Sequence, residues 1–146
     1  MTRGPDAGKH VPGHKCSGVV DALGLLMGAV FVAASVSGNA GGAQTTGKVA
    51  YKPARLQKTW PGSGFRWAFA EHCKTARNLT VQVVDRIAPR SFEVLPRRWV
   101  VERTWAWLVN HRRLRIGYER GPVVTEGPVW AAHCRLLLRR LTTETT

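Results

Sequence analysis

Apolar positions along this chain fall into stretches of different period, and each period predicts a different element. Residues 17–33 carry two apolar runs, GVV and LLMGAVFVA, separated by DALG at 21–24. This arrangement predicts a β-hairpin with strands near 17–20 and 25–33 and a turn in which Asp21 is the turn residue. The thirteen residues from Ala22 to Ala34 hold no charge, well short of the roughly 20 that a membrane-spanning helix needs. Lys9 and Lys15 ahead of the run, and small residues after it, leave a signal-peptide reading open, against which Asp21, Gly24 and Gly28 all weigh. Residues 59–86 predict a short strand, a glycine turn, a helix over about 65–76 and a strand over 79–85. In that helix Phe65, Phe69, Cys73 and Ala76 share one stripe.

A loop over 89–95 then leads to Pro96, suited to the first turn of a helix because no backbone donor is needed there. Val101, Trp105 and Leu108 form the buried stripe of that helix, and Trp107 reads either as core or as a surface for stacking a base. Residues 123–141, which follow Gly121-Pro122 and include Gly127-Pro128, predict a terminal amphipathic helix with Ala132 and Leu136 on one face and Arg139 or Arg140 on another. Two stretches lack a clear period. Residues 1–18, rich in Gly, Pro, Lys and His, predict a flexible basic arm, and the Gly-, Thr- and Lys-rich 38–58 predict a connection crossing one side of the domain. One domain over 19–141 and a frayed tail over 142–146 complete the division.

Charge narrows the class of partner. The 146 residues carry a formal net charge of +13 with a pI near 11.1, while 44% hydrophobic content agrees with a packed core. Such a balance points to a polyanion, nucleic acid first and an anionic membrane surface second. A secreted or membrane-surface basic protein is the weaker class and rests only on the 22–34 run. Cys16, Cys73 and Cys134 are odd in number and lack zinc-ligand spacing, which predicts reduced thiols in a cytoplasmic protein. Positive charge concentrates at Arg97, Arg98, Arg103, Arg112, Arg113, Arg115 and Arg120, with Trp99, Trp105 and Trp107 interleaved and only Glu102 and Glu119 opposing them. Taken alone, Arg98 and Glu102 are four apart on a helix and predict an ion pair worth about 0.3 kcal/mol.

The segment LPRRWVVERTWAWLVNHRRLRIGYER at 95–120 resembles the C-terminal signature of bacterial insertion-sequence transposases with a DDE catalytic domain, in the branch written RWVVERTFAWL followed by RRL and a YE pair. GPDAGKHVPGHKCSGVVDALGLL at 4–26 is similar to that family's approach to its second strand. The likeness is dense over 95–141 and patchier before residue 71. It implies an α/β, ribonuclease H-like mixed sheet with flanking helices, incomplete because the first strand, with its catalytic Asp, precedes the matched region. A chain lacking that strand is expected to present an exposed sheet edge, to be poorly stable, or to need a second polypeptide.

By the same resemblance Glu102 is the third acidic ligand of a Mg²⁺ site, and Arg97, Arg98, Arg103, Arg112, Arg113 and Arg115 contact DNA, in the intact family the transposon ends. Homo-oligomer formation is compatible with it, and no membrane is implied. Departures bear on activity. The second ligand position holds Gly62, Leu95 replaces a common Tyr, and the expected basic residue falls on Val109, so that Arg112 or Arg113 would have to serve. Two-metal phosphoryl transfer needs carboxylates around both cations, and Asp85 reads as a strand-end cap rather than a substitute. The expectation is a truncated, catalytically defective relative of DDE transposases; the alternative is a non-enzymatic basic DNA-binding remnant.

Overall fold

The computed structural model describes residues 4–6, 8–49, 56–65, 67–84, 96–116, 118–119 and 121–143. Two glycine-spaced segments pair first: β1 (Gly4–Pro5) lies antiparallel to the start of β2 (Pro12–Val20), and β2 runs antiparallel to β3 (Leu26–Ala33). The hairpin turn is the one the DALG sequence predicts. Asp21 Oδ1 accepts hydrogen bonds from the backbone N–H groups of Leu23 and Leu25, at 2.9 and 2.8 Å, and Gly24 takes φ +84°, a conformation natural only to glycine. The register slips between Val19 and Val20, which face Gly28 and Leu26. Met27 is thereby bulged out, and Leu26 joins Ala29 and Phe31 on one face of the sheet.

Each face of this sheet meets a different set of helices. On one side lies α1 (Gly38–Val49), seated through small residues: Val49 packs against Gly28, and Gly41 approaches Ser17 and Val32. On the other side α3 (Pro96–Val109) and α5 (Pro122–Thr143) close the main core, made by Leu26, Ala29, Leu108, Val129 and Ala132 with Trp105 and Phe31 against it. Trp105 lies so close to β2 that a methyl group on Gly18 would stand 2.5 Å from its ring. The short α4 (Arg112–Arg115) joins α3 to α5.

A second unit packs on the outer side of α1. Strand β4 (Lys58–Thr59), helix α2 (Ala68–Arg77) and strand β5 (Thr80–Val81) form a parallel crossover, extended by a bridge between Gly62 and Val84. Phe69, Cys73 and Leu79 are its buried residues, and Phe65 and Phe69 meet edge to face at a centroid distance of 5.1 Å. The chain is thus mixed α/β. Among the described residues the antiparallel and parallel strands form separate sheets of three and two strands rather than one continuous sheet. No helix among them is long and apolar enough to cross a membrane.

Several boundaries move. Residues 12–18 are no loose arm, because β2 begins at Pro12 and pairs with β3 from His14 onward. The 38–58 connection contains α1, whose start is capped by Ser37 Oγ accepting from the Ala40 N–H at 3.2 Å. Helix α2 begins at Ala68 rather than 65, and Ala76 is exposed, so the predicted stripe ends at Cys73. Of the 142–146 tail, Thr142 and Thr143 belong to α5 and donate their hydroxyls to the carbonyls of Leu138 and Arg139, and 144–146 lie outside the described residues. The 89–95 loop lies outside the described residues.

Candidate nucleic-acid interface

Helix α3 carries most of the residues that the sequence singles out, and its two ends are fixed differently. At its first turn the Arg97 guanidinium lies over the Trp60 ring, 4.4 Å from the centroid. This contact brings the helix start against the end of β4, two residues before Gly62. One turn on, Arg98 Nε donates to Glu102 Oε1 at 2.8 Å, with the glutamate side chain 51% exposed. The helical ion pair anticipated from spacing is therefore the contact that Glu102 makes. Gly62 supplies no donor, Asp85 lies outside the described residues, and no three His, Cys, Asp or Glu side chains converge among those described.

Midway along α3 the helix is tied to the hairpin turn. Thr104, fully buried, donates its hydroxyl to the Gly24 carbonyl at 2.8 Å, and Arg103 donates from Nη2 to the Leu23 carbonyl at 3.1 Å. Arg103 also lies 4.8 Å from the centroid of Trp107, over which Arg140 of α5 sits at 4.9 Å. Two guanidiniums thus lie over the Trp107 ring. Beyond α3, Arg113 pairs with Glu119 at 2.7 Å, while Arg112 and Arg115 are exposed without a carboxylate partner among the described residues. Val109, at the expected basic position, is exposed and bears no charge.

The six arginines expected to meet DNA are therefore not equivalent. Arg98, Arg103 and Arg113 have commitments within the protein, Arg97 is shared with Trp60, and Arg112 and Arg115 face solvent. Arg135, not named from sequence, and Arg139, read there only as marking a face of the terminal helix, are exposed on α5 and also without a carboxylate partner among the described residues. Their four-residue spacing was the available signal. Across α3 to α5 the imbalance is clear-cut. Glu102, Glu119 and Glu126 are each in an ion pair, the last with Lys48 of α1 at 2.8 Å. Arg97, Arg103, Arg112, Arg115, Arg135, Arg139 and Arg140 have none among the described residues.

Two concavities flank Leu108. One, about 430 Å³ and mostly apolar, is lined by Phe31, Trp105, Leu108, Val129, His14 and Cys16, among others. Cys16 keeps part of its surface in solvent, yet burial, reinforced by the charge of Glu126, pushes its thiol up to about 12. Cys134 is exposed on α5 and Cys73 is buried in the α2 core. The other concavity, about 290 Å³, lies between the end of α3, α4 and α5 and contains arginines but no carboxylate.

A titrating group also sits in the fold beneath this surface. His133 is buried, and its Nε2 accepts a hydrogen bond from the Leu26 N–H at 3.2 Å, which places the proton of the neutral ring on Nδ1. Burial, then the charge of Arg140, lower its pKa, with Asp21 opposing. Because the folded pKa lies below the unfolded value of about 6.5, the unfolded chain takes up the proton first as pH falls. Stability is thus expected to be level above about pH 7 and to decline as pH drops through about 6.5. Melting curves across this range should show the decline in the native chain and a flatter profile in His133→Gln. Equal profiles in the two proteins would remove His133 as the cause. No family model, no curated protein and no solved structure matches this chain.

Proposed function

We propose that this chain binds the DNA backbone without sequence preference and does not cut or join strands, as a degenerate relative of DDE transposases. The observation that carries this reading is the charge imbalance on α3 to α5, where every described carboxylate is matched and guanidiniums on three helices are left over. Unmatched cations on one region release condensed counterions from DNA on binding, which supplies affinity without base recognition. The occupied ring of Trp107 argues in the same direction, since base stacking would need a free face.

Two positions support the non-catalytic part of this reading. Gly62 stands where a metal-ligating carboxylate is expected, and Glu102 is held by Arg98. A ribonuclease H-like fold belongs to this reading; the order of hairpin, α1 and parallel β4–α2–β5 unit supports it, although the two sheets are separate among the described residues. Cytoplasmic residence, reduced thiols and self-association on DNA belong to the same reading.

Anisotropy of a labelled duplex, titrated over a range of KCl concentrations, tests the binding. Log affinity is expected to fall linearly with log salt, and absence of binding at about 50 mM salt would end the proposal. A nicking assay with Mg²⁺ tests the catalytic part: no cleavage is expected, and Mg²⁺-dependent cleavage that disappears in Glu102→Gln would overturn it.

A further inference from the structure

The arginine-lined cleft between α4 and α5 contains more cationic chemistry than the fold uses. Arg112 comes from α4, and Arg135 and Arg139 come from successive turns of α5, so three guanidiniums from two elements border one concavity of about 290 Å³. None has an ion-pair or hydrogen-bond partner for its side chain among the described residues, and no Asp or Glu lines the cleft. Arg135 and Arg139 are like charges at a spacing that brings them side by side on a helix, which is unfavourable unless an anion intervenes. Asn110 and His111 add polar groups to the lining, and Leu108 and Leu136 add apolar ones.

We infer that this cleft is a phosphate seat, in which Arg112, Arg135 and Arg139 hold one backbone phosphate of bound DNA. Guanidinium forks match the tetrahedral oxygens of phosphate and donate to them in pairs, which a carboxylate-free cleft of this size favours over any neutral ligand. The seat reads charge and not base: the nearest aromatic ring, Trp107, already lies beneath Arg103 and Arg140. It deepens the DNA-binding proposal and rests on it, although the same chemistry would also take free inorganic phosphate.

The two sources and the two proposals separate in one set of experiments on the full chain. Duplex binding is measured against KCl for the native protein, for R112Q/R135Q/R139Q, and for K9Q/K58Q/K74Q, which removes the same charge from exposed positions elsewhere. The cleft variant, which loses one phosphate contact, is expected to lose about 1 from the magnitude of the salt slope, the control less than about 0.3. In parallel, melting is followed with and without inorganic phosphate. Phosphate should raise the melting temperature of the native protein and not of the cleft variant, whose own melting temperature in phosphate-free buffer should be unchanged or higher. Duplex binding reduced equally in both variants would overturn the seat while leaving DNA binding standing. A native protein that ignores DNA but responds to phosphate through these arginines would end the DNA proposal and make the cleft a site for the free anion. A cleft variant that fails to fold would make the three arginines structural and also overturn the seat.

Discussion

Leu108→Ala is expected to cost about 3 kcal/mol, lowering the urea midpoint by about 1 to 2 M. Leu108 is 1% exposed and stands at the centre of the main core, between Leu26 and Ala29 of the sheet and Val129 and Ala132 of α5. Truncation leaves a cavity that none of these partners can fill, because each is small or fixed to a rigid element. Against a typical total of about 5–15 kcal/mol, the loss would be large. Leu108 is also the wall common to the apolar concavity and the arginine cleft. Its removal should therefore weaken phosphate binding as well as stability, whereas Leu138→Ala, at an exposed position of α5, should leave both nearly unchanged. A midpoint that moved by less than about 0.3 M would show that the centre of the core has been misplaced.

Gly42→Ala should destabilise by about 1–3 kcal/mol, although the same change in an isolated helix would favour it by nearly 1 kcal/mol. Gly42 is buried in α1, and an added methyl carbon would lie 2.5 Å from Phe65 Cε1 and 3.1 Å from Phe69 Cε2. These rings pack edge to face, so neither moves without disturbing the other. Gly38 supplies the contrast, being exposed at the start of the same helix, where an added methyl carbon would meet nothing within 4 Å. Gly38→Ala should be neutral or slightly stabilising. If both substitutions stabilised the protein in thermal melts, α1 would not be seated on α2 as described.

These two glycines also show why part of the fold was legible in the sequence and part was not. The hairpin was readable because its information is local: Asp21 and Gly24 set the turn within five residues, and apolar side chains fill the strand that follows. Helix α3 was readable from Pro96 and from the spacing of Trp105 and Leu108. Helix α1 was not, because its buried face is Gly41, Gly42, Thr45, Thr46 and Val49, residues that score as poor helix formers with little apolar contrast. Close approach to the sheet and to Phe65 is what makes small residues favourable there, and that contact is made by distant chain. Tertiary packing overrode propensity in the same way for Pro12–Val20, whose strand exists because β3 pairs with it.

The candidate site divides along the same line. The Arg98–Glu102 pair is a matter of helical spacing and was foreseen, while nothing local marks Thr104, whose hydroxyl reaches Gly24, eighty positions away in sequence. Arg112 was singled out from a motif. Its neighbours Arg135 and Arg139 were not, since only the packing of α4 against α5 brings them to one cleft.

The three thiols of this chain differ enough to be told apart by a reagent. Cys73 is enclosed in the α2 core, while Cys16 is exposed like Cys134 but has its thiol pushed up to about 12 by desolvation. Cys134 is exposed on α5 and immediately precedes Arg135. A maleimide dye added to the unmutated protein should therefore react faster at Cys134 than at Cys16, placing a label one residue from Arg135 of the arginine cleft without any engineered cysteine.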